Sequence, residues 1–258
     1  MYNKLTYKYG GKDVGTIIAV SSGKGGTGKT TSVAAISSCL AVLGHRTLCI
    51  DFDTGLGNLD LALNMTDFTV MDYMDVIAGK MDIRAACSES PEIPNLFFLS
   101  APINKQSEES DRSAIVEMFD KIRNNFEFCL IDAPPGIGTG FDLAHCNVDM
   151  SIIVTTGELP SIRDAARAAG SLREKGITNL RLLVTRVSRA KFKRIRTTID
   201  DVIDSTGVQL IGIVAEDKSI YRALHVGVPL VLYNKRKAAY DYLDVALRLK
   251  GEDVPLFG

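Results

Sequence analysis

The chain has 258 residues, 46% hydrophobic and 24% charged, with 30 Lys+Arg against 31 Asp+Glu for a net charge of −1. This is ordinary globular composition, long enough for one large α/β domain or two small ones, and bulk charge decides nothing about nucleic acid, which only local patches could contact. The five cysteines (Cys39, Cys49, Cys87, Cys129, Cys146) are odd in number and form no C-x-x-C, and no apolar stretch could span a bilayer, so a disulfide framework, a thiolate metal site and a membrane-spanning protein are excluded and a cytoplasmic setting is expected.

Met1 to Val14 is polar, carries Tyr2, Tyr7, Tyr9 and Gly10-Gly11, and reads as a loosely packed tail ahead of a single domain over 15–258. The β-branched run Thr16 to Ser21 predicts a buried strand, and Ser32 to Leu43 a helix closed by Gly44. Between them Gly23-Lys24-Gly25-Gly26-Thr27-Gly28-Lys29-Thr30-Thr31 fits the phosphate-loop pattern G-x-x-x-x-G-K-[ST] from Gly23 to Thr30. Its glycines let the backbone turn several N–H groups toward a polyphosphate. Lys29 would reach the β- and γ-phosphates, and the Thr30 hydroxyl would sit on Mg²⁺. The helix that follows adds its positive N-terminal end.

Downstream, Thr47 to Asp51 is an expected strand ending in an acid, Val70 to Ile77 a helix stopped at Gly79, and Leu96 to Ser100 a strand between Pro94 and Pro102. Asp111 to Asn124 has the apolar spacing of an amphipathic helix. Phe128 to Asp132 is again a strand ending in an acid, and Ser151 to Thr155 another strand. Ser161-Ile162-Arg163-Asp164 reads as an S-x-x-D capping box opening a helix to Lys175, stopped by Gly176. Leu180 to Thr185 is a strand, Phe192 to Ser205 one helix ended by Gly207, and Gln209 to Val214 a strand. Ser219 to Val226 and Ala238 to Lys250 are helices. Continuous apolar strands alternating with helices predict an α/β fold: a doubly wound, mostly parallel sheet with helices on both faces.

In such sheets ligands bind beyond the carboxyl ends of the strands, where Asp51, Asp53 and Asp132 fall. Asp132 ends an apolar strand in the manner of a Walker B acid and would hold a Mg²⁺ water, with Asp51 facing the same metal shell. Asp53 could orient or deprotonate an attacking water. Gly136, Gly138 and Gly140 suit either a loop that moves with the γ-phosphate or a plain turn after Pro134-Pro135. Arg186, Arg189, Lys191, Lys193, Arg194 and Arg196 make a basic stretch that could touch DNA or anionic lipid, although Asp200, Asp201 and Asp204 favour a solvated helix face.

Taken together, these motifs resemble the MinD/ParA family of deviant Walker A ATPases, and the MinD branch in particular, over about Thr16 to Phe257. The resemblance rests on Ser22 to Thr31, Ile50 to Asp60, Ile131 to Ile137, Ser161 to Asp164 and Thr185-Arg186. It implies a P-loop ATPase with ATP and Mg²⁺, forming an ATP-sandwiched homodimer that positions a cell-division site or related structure. Lys24 would reach the partner's phosphates in trans, Lys29 would act in cis, and Asp53 would orient the water. Thr185-Arg186 and Val214 to Asp217, hence Arg186, Ala215 and Glu216, would border the adenine. The absence of N-K-x-D favours ATP over GTP. The family's C-terminal amphipathic membrane helix has no counterpart before the last residues, Val254 to Gly258, which implies no direct membrane attachment by that route and membrane location only through a partner. Ala166 stands where the MinD branch has an acid that meets MinC and MinE, leaving an unnamed activator or adaptor as the expected partner. The alternative is a ParA-type partition ATPase that binds nonspecific DNA through Arg186–Arg196.

Overall fold

The structure is a computed structural model that describes residues 8–9, 12–54, 57–68, 71–102, 111–233 and 237–256. It opens with a small antiparallel ribbon, β1 (Lys8–Tyr9) and β2 (Lys12–Asp13), so this part of the expected loose tail is paired. The rest of that tail up to Gly11 lies outside the described residues. Then follow β3 (Thr16–Ser21), α1 (Lys29–Val42), β4 (Thr47–Asp51), α2 (Leu59–Leu63), α3 (Tyr73–Ile77), α4 (Ile83–Ala86), β5 (Ser88–Glu89) and β6 (Leu96–Leu99). The middle of the chain forms α5 (Arg112–Arg123), β7 (Phe128–Asp132), α6 (Thr139–Ala144), β8 (Met150–Thr156), α7 (Leu159–Glu174) and β9 (Leu180–Val187). The last part forms α8 (Arg189–Ile195), α9 (Ile199–Thr206), β10 (Gln209–Ala215), α10 (Lys218–His225), α11 (Leu230–Tyr233) and α12 (Ala238–Leu249).

Eight strands make one sheet in the order β10-β9-β8-β3-β7-β4-β6-β5, parallel except for the short edge strand β5. β3 is central and pairs with β7 and β8, so its carboxyl end delivers the phosphate loop between two other strand ends. Both sheet faces are covered. Val33, Ile36 and Leu40 of α1 pack with Tyr242 and Val245 of α12 in one apolar cluster. Ile115, Phe119 and Ile122 of α5 pack with Ile17, Ile50 and Ile131 in a second. Because neighbouring helices enclose it, α1 buries eleven of its fourteen residues and has no solvent face to speak of.

Several boundaries differ from expectation for local reasons. The Ser161 capping box does not form. α7 starts earlier, at Leu159 with Pro160 in its first turn, where a missing N–H is harmless. Ser161 faces inward instead: its hydroxyl oxygen accepts from the Thr156 N–H (3.1 Å) and bonds the Thr155 hydroxyl (3.0 Å). The expected single helix from Phe192 to Ser205 is two helices. Arg196 ends α8 with a left-handed φ of 54°, and Thr198 with Asp201 forms a reciprocal capping box that starts α9. α3 starts at Tyr73 behind a capping Asp72, and the expected start at Val70 lies outside the described residues. Gly140 belongs to α6 rather than to an open loop.

Candidate nucleotide-binding site

β3 ends at Ser21 and α1 begins at Lys29, and the loop between them crosses the carboxyl edge of the sheet. Gly26 and Gly28 have φ of +80° and +94°, backbone turns that a side chain would strain. A Cβ built on Gly25 or Gly26 would meet no atom within 4 Å, so the crest of the loop is open on its outer side. Gly28 is the N-cap of α1, and the first turn of α1 has neither a side-chain cap nor an acid. These N–H groups and the positive end of a fourteen-residue helix thus face the open side, a cradle suited to phosphate oxygens.

Beneath the loop, Asp132 is buried at the end of β7 and ties the Lys29 ammonium and the Thr30 hydroxyl, which donates to Asp132 Oδ2 over 2.6 Å. Asp51 lies beside Asp132 in the β4–β7 register. It accepts from the Asp53 N–H (2.9 Å) and the Leu59 N–H (3.3 Å). Burial, and then the neighbouring Asp132 charge, push the Asp51 carboxyl up to about 7. Burial also raises Asp132, against the pull of Lys29 and Thr30. Two crowded, desolvated carboxyls beside a hydroxyl are an oxygen set suited to a hard cation. Among the described residues, no group of three or more His, Cys, Asp or Glu could hold a metal alone.

The remaining expected residues lie around this centre. Lys24 is exposed at the loop, and its carbonyl accepts from the Ser22 hydroxyl (2.9 Å). Asp53 is half-buried one step beyond Asp51. Arg186, at φ 55°, and Ala215 with Glu216 come together at the ends of β9 and β10, where the Glu216 N–H donates to the Val187 carbonyl (2.9 Å). Thr31 sits deeper on α1 and lines a narrow cleft against Leu224 of α10.

Several contacts among these residues have no local signal in the sequence. The Thr185 hydroxyl donates to the Thr27 carbonyl (2.5 Å) and anchors the loop to β9. Gly23 passes so close to α7 that an added Cβ would lie 2.3 Å from the Asp164 carbonyl oxygen. An added Cβ on Gly57 would lie 2.4 Å from Asp51 Oδ2. The Thr27 hydroxyl is buried without a partner among the described residues, a donor left over inside the cradle.

The sequence model of a family described as "AAA domain" matches residues 15–168. The septum site-determining protein MinD of Bacillus subtilis (strain 168) is 34% identical over 94% of this chain and 92% of its own length. The chain belongs to the MinD family of septum site-determining ATPases. MinD of Aquifex aeolicus, solved in a MinC:MinD cell division protein complex, superposes with a TM-score of 0.86 at 34% identity, covering 93% of this chain and 98% of that one. MinD of Pyrococcus horikoshii OT3, solved complexed with Mg-ADP, superposes with a TM-score of 0.80 at 26% identity, covering 91% and 95%. As a MinD-family member the protein hydrolyses ATP and acts in division-site positioning. Among the described residues no helix is long and apolar enough to cross a membrane.

Proposed function

We propose that ATP joins two copies of this chain face to face through the phosphate loops and that hydrolysis lets them part. The single observation that carries this reading is the loop itself: its crest is open at Gly25 and Gly26, and Lys24 projects from it with no part in the internal Lys29–Thr30–Asp132 cluster. Lys29 reaches the transferring phosphoryl group from its own subunit. Lys24 adds its charge from the other subunit, where negative charge builds in the transition state. Asp53 orients the water that attacks the γ-phosphorus as the bond to the bridging oxygen breaks. Thr30 would ligate Mg²⁺, and Asp132 and Asp51 would hold its waters. When bound, that ion would supply positive charge against the negative phosphate oxygens. Arg186, Ala215 and Glu216 border the adenine.

The complex of Aquifex aeolicus MinD with MinC supports a protein partner for this chain as well, through which it would reach the membrane from the cytoplasm. A second reading, contact with DNA along Arg186–Arg196, is favoured only by the exposure of Lys193, Arg194 and Arg196. Its signature would be ATP-dependent, salt-sensitive binding to duplexes. The role of Lys24 is tested by turnover: Lys24→Ala lowers ATP hydrolysis on the order of a hundredfold or more while ATP affinity changes little. Unchanged turnover in that variant removes the role in trans.

A further inference from the structure

The carboxyl-terminal third carries an exposed surface that nucleotide chemistry does not use. From Lys218 to Tyr240 the sequence contains no Asp or Glu but five Lys or Arg, in a chain whose net charge is −1. α10 is sharply two-sided. Ser219 and Ala223 are buried, and Ile220 packs on the core below. Lys218, Tyr221, Arg222 and His225, at i, i+3, i+4 and i+7, form the outward stripe. The Tyr221 and His225 rings stack along it, with centroids 6.3 Å apart. Large apolar side chains flank these cations in the open: Tyr221 is 73% exposed, Val226 56%, Leu224 51%, and Leu232 of the adjoining α11 43%. Among the described residues neither Lys218 nor Arg222 takes part in an ion pair.

We propose that this α10–α11 face rests on an anionic phospholipid surface, with Leu224 and Val226 entering the acyl boundary and Lys218 and Arg222 meeting the headgroup phosphates. Aromatic and aliphatic side chains interleaved with cations match that layered chemistry, apolar below and negative above. Duplex DNA would match the cations alone and leave three aliphatic side chains in water. A second copy in two-fold contact would set like charge against like charge along the stripe. The surface lies within the folded domain and is independent of any terminal helix or adaptor.

Flotation of the full chain with ATP or ADP tests this, using vesicles of phosphatidylcholine alone and of equal parts phosphatidylcholine and phosphatidylglycerol. The expected result is binding to the anionic vesicles only, weakened by salt. Arg222→Glu, and separately Leu224→Ser with Val226→Ser, should each reduce it on the order of tenfold, and Arg222→Glu should do so without altering ATP turnover. Lys193→Glu with Arg194→Glu on α8 should leave it unchanged. The chain has no tryptophan, so Leu224→Trp supplies a sole reporter whose emission should shift blue on anionic vesicles. Four results would overturn the proposal: no vesicle binding by the parent, binding by both surface variants equal to the parent's, an indole emission in the Leu224→Trp protein that does not move, or an Arg222→Glu defect confined to duplex DNA binding.

Discussion

Gly23 stands where a single methyl group would press on the backbone of α7, 2.3 Å from the Asp164 carbonyl oxygen. Backbone cannot step aside as a flexible side chain can, so Gly23→Ala must move the loop or the helix. We predict a loss of about 1–3 kcal/mol in stability and a reduction on the order of tenfold in ATP affinity, measured by thermal unfolding and nucleotide titration. At this scale much of the site was readable. The spacing from Gly23 to Thr30 and the acids ending two strands placed Lys29, Thr30, Asp51 and Asp132 together, and the structure brings those four together. The Gly23–Asp164 contact was not readable, because it joins residues far apart in the chain by packing alone, and no local spacing records that. Thr185 was legible only as part of a motif; its bond to the Thr27 carbonyl comes from the sheet order.

At the scale of elements, the break between α8 and α9 shows how periodicity can mislead. Phe192, Ile195, Ile199 and Val202 continue in helical register across the gap, so apolar spacing alone reads one helix. The stop is written in other residues. Arg196 takes a left-handed turn, and Thr198 exchanges hydrogen bonds with Asp201, its hydroxyl accepting from the Asp201 N–H (3.1 Å) while Asp201 Oδ2 accepts from the Thr198 N–H (2.7 Å). Thr198→Ala should therefore cost about 1 kcal/mol, read as a lower urea midpoint with unchanged slope. No change would mean that α9 holds its start through packing of Val202 instead. The helices α2, α4, α6 and α11 escaped the sequence reading because four to six residues are too few to display a period.

Across the whole molecule, parallel architecture was legible because strands covered on both faces are buried throughout, as β3, β4 and β8 are. The order of the strands was not, since it is set by crossovers between distant segments. His145 shows the same limit. It gave no sign in the sequence, yet it is buried between α6 and β8, with Nδ1–H donating to the Phe141 carbonyl (2.6 Å) and Nε2 bonded to the Ser151 hydroxyl (3.2 Å). Burial pushes this histidine down to about 4. The unfolded chain therefore takes up the proton first as pH falls, so this contribution to stability is complete above about pH 6.5 and declines toward pH 4. Between pH 7 and pH 5 the loss should be about 2 kcal/mol, measured as the difference between the parent and His145→Gln in urea titrations at each pH. Equal pH dependence in the two proteins would contradict it.

The face-to-face union of two nucleotide sites is read most directly by the mass of the Asp53→Ala protein in solution, by light scattering with Mg²⁺ and either ATP or ADP. The structure leads us to predict twice the chain mass with ATP and the single-chain mass with ADP. The same mass with both nucleotides would contradict it.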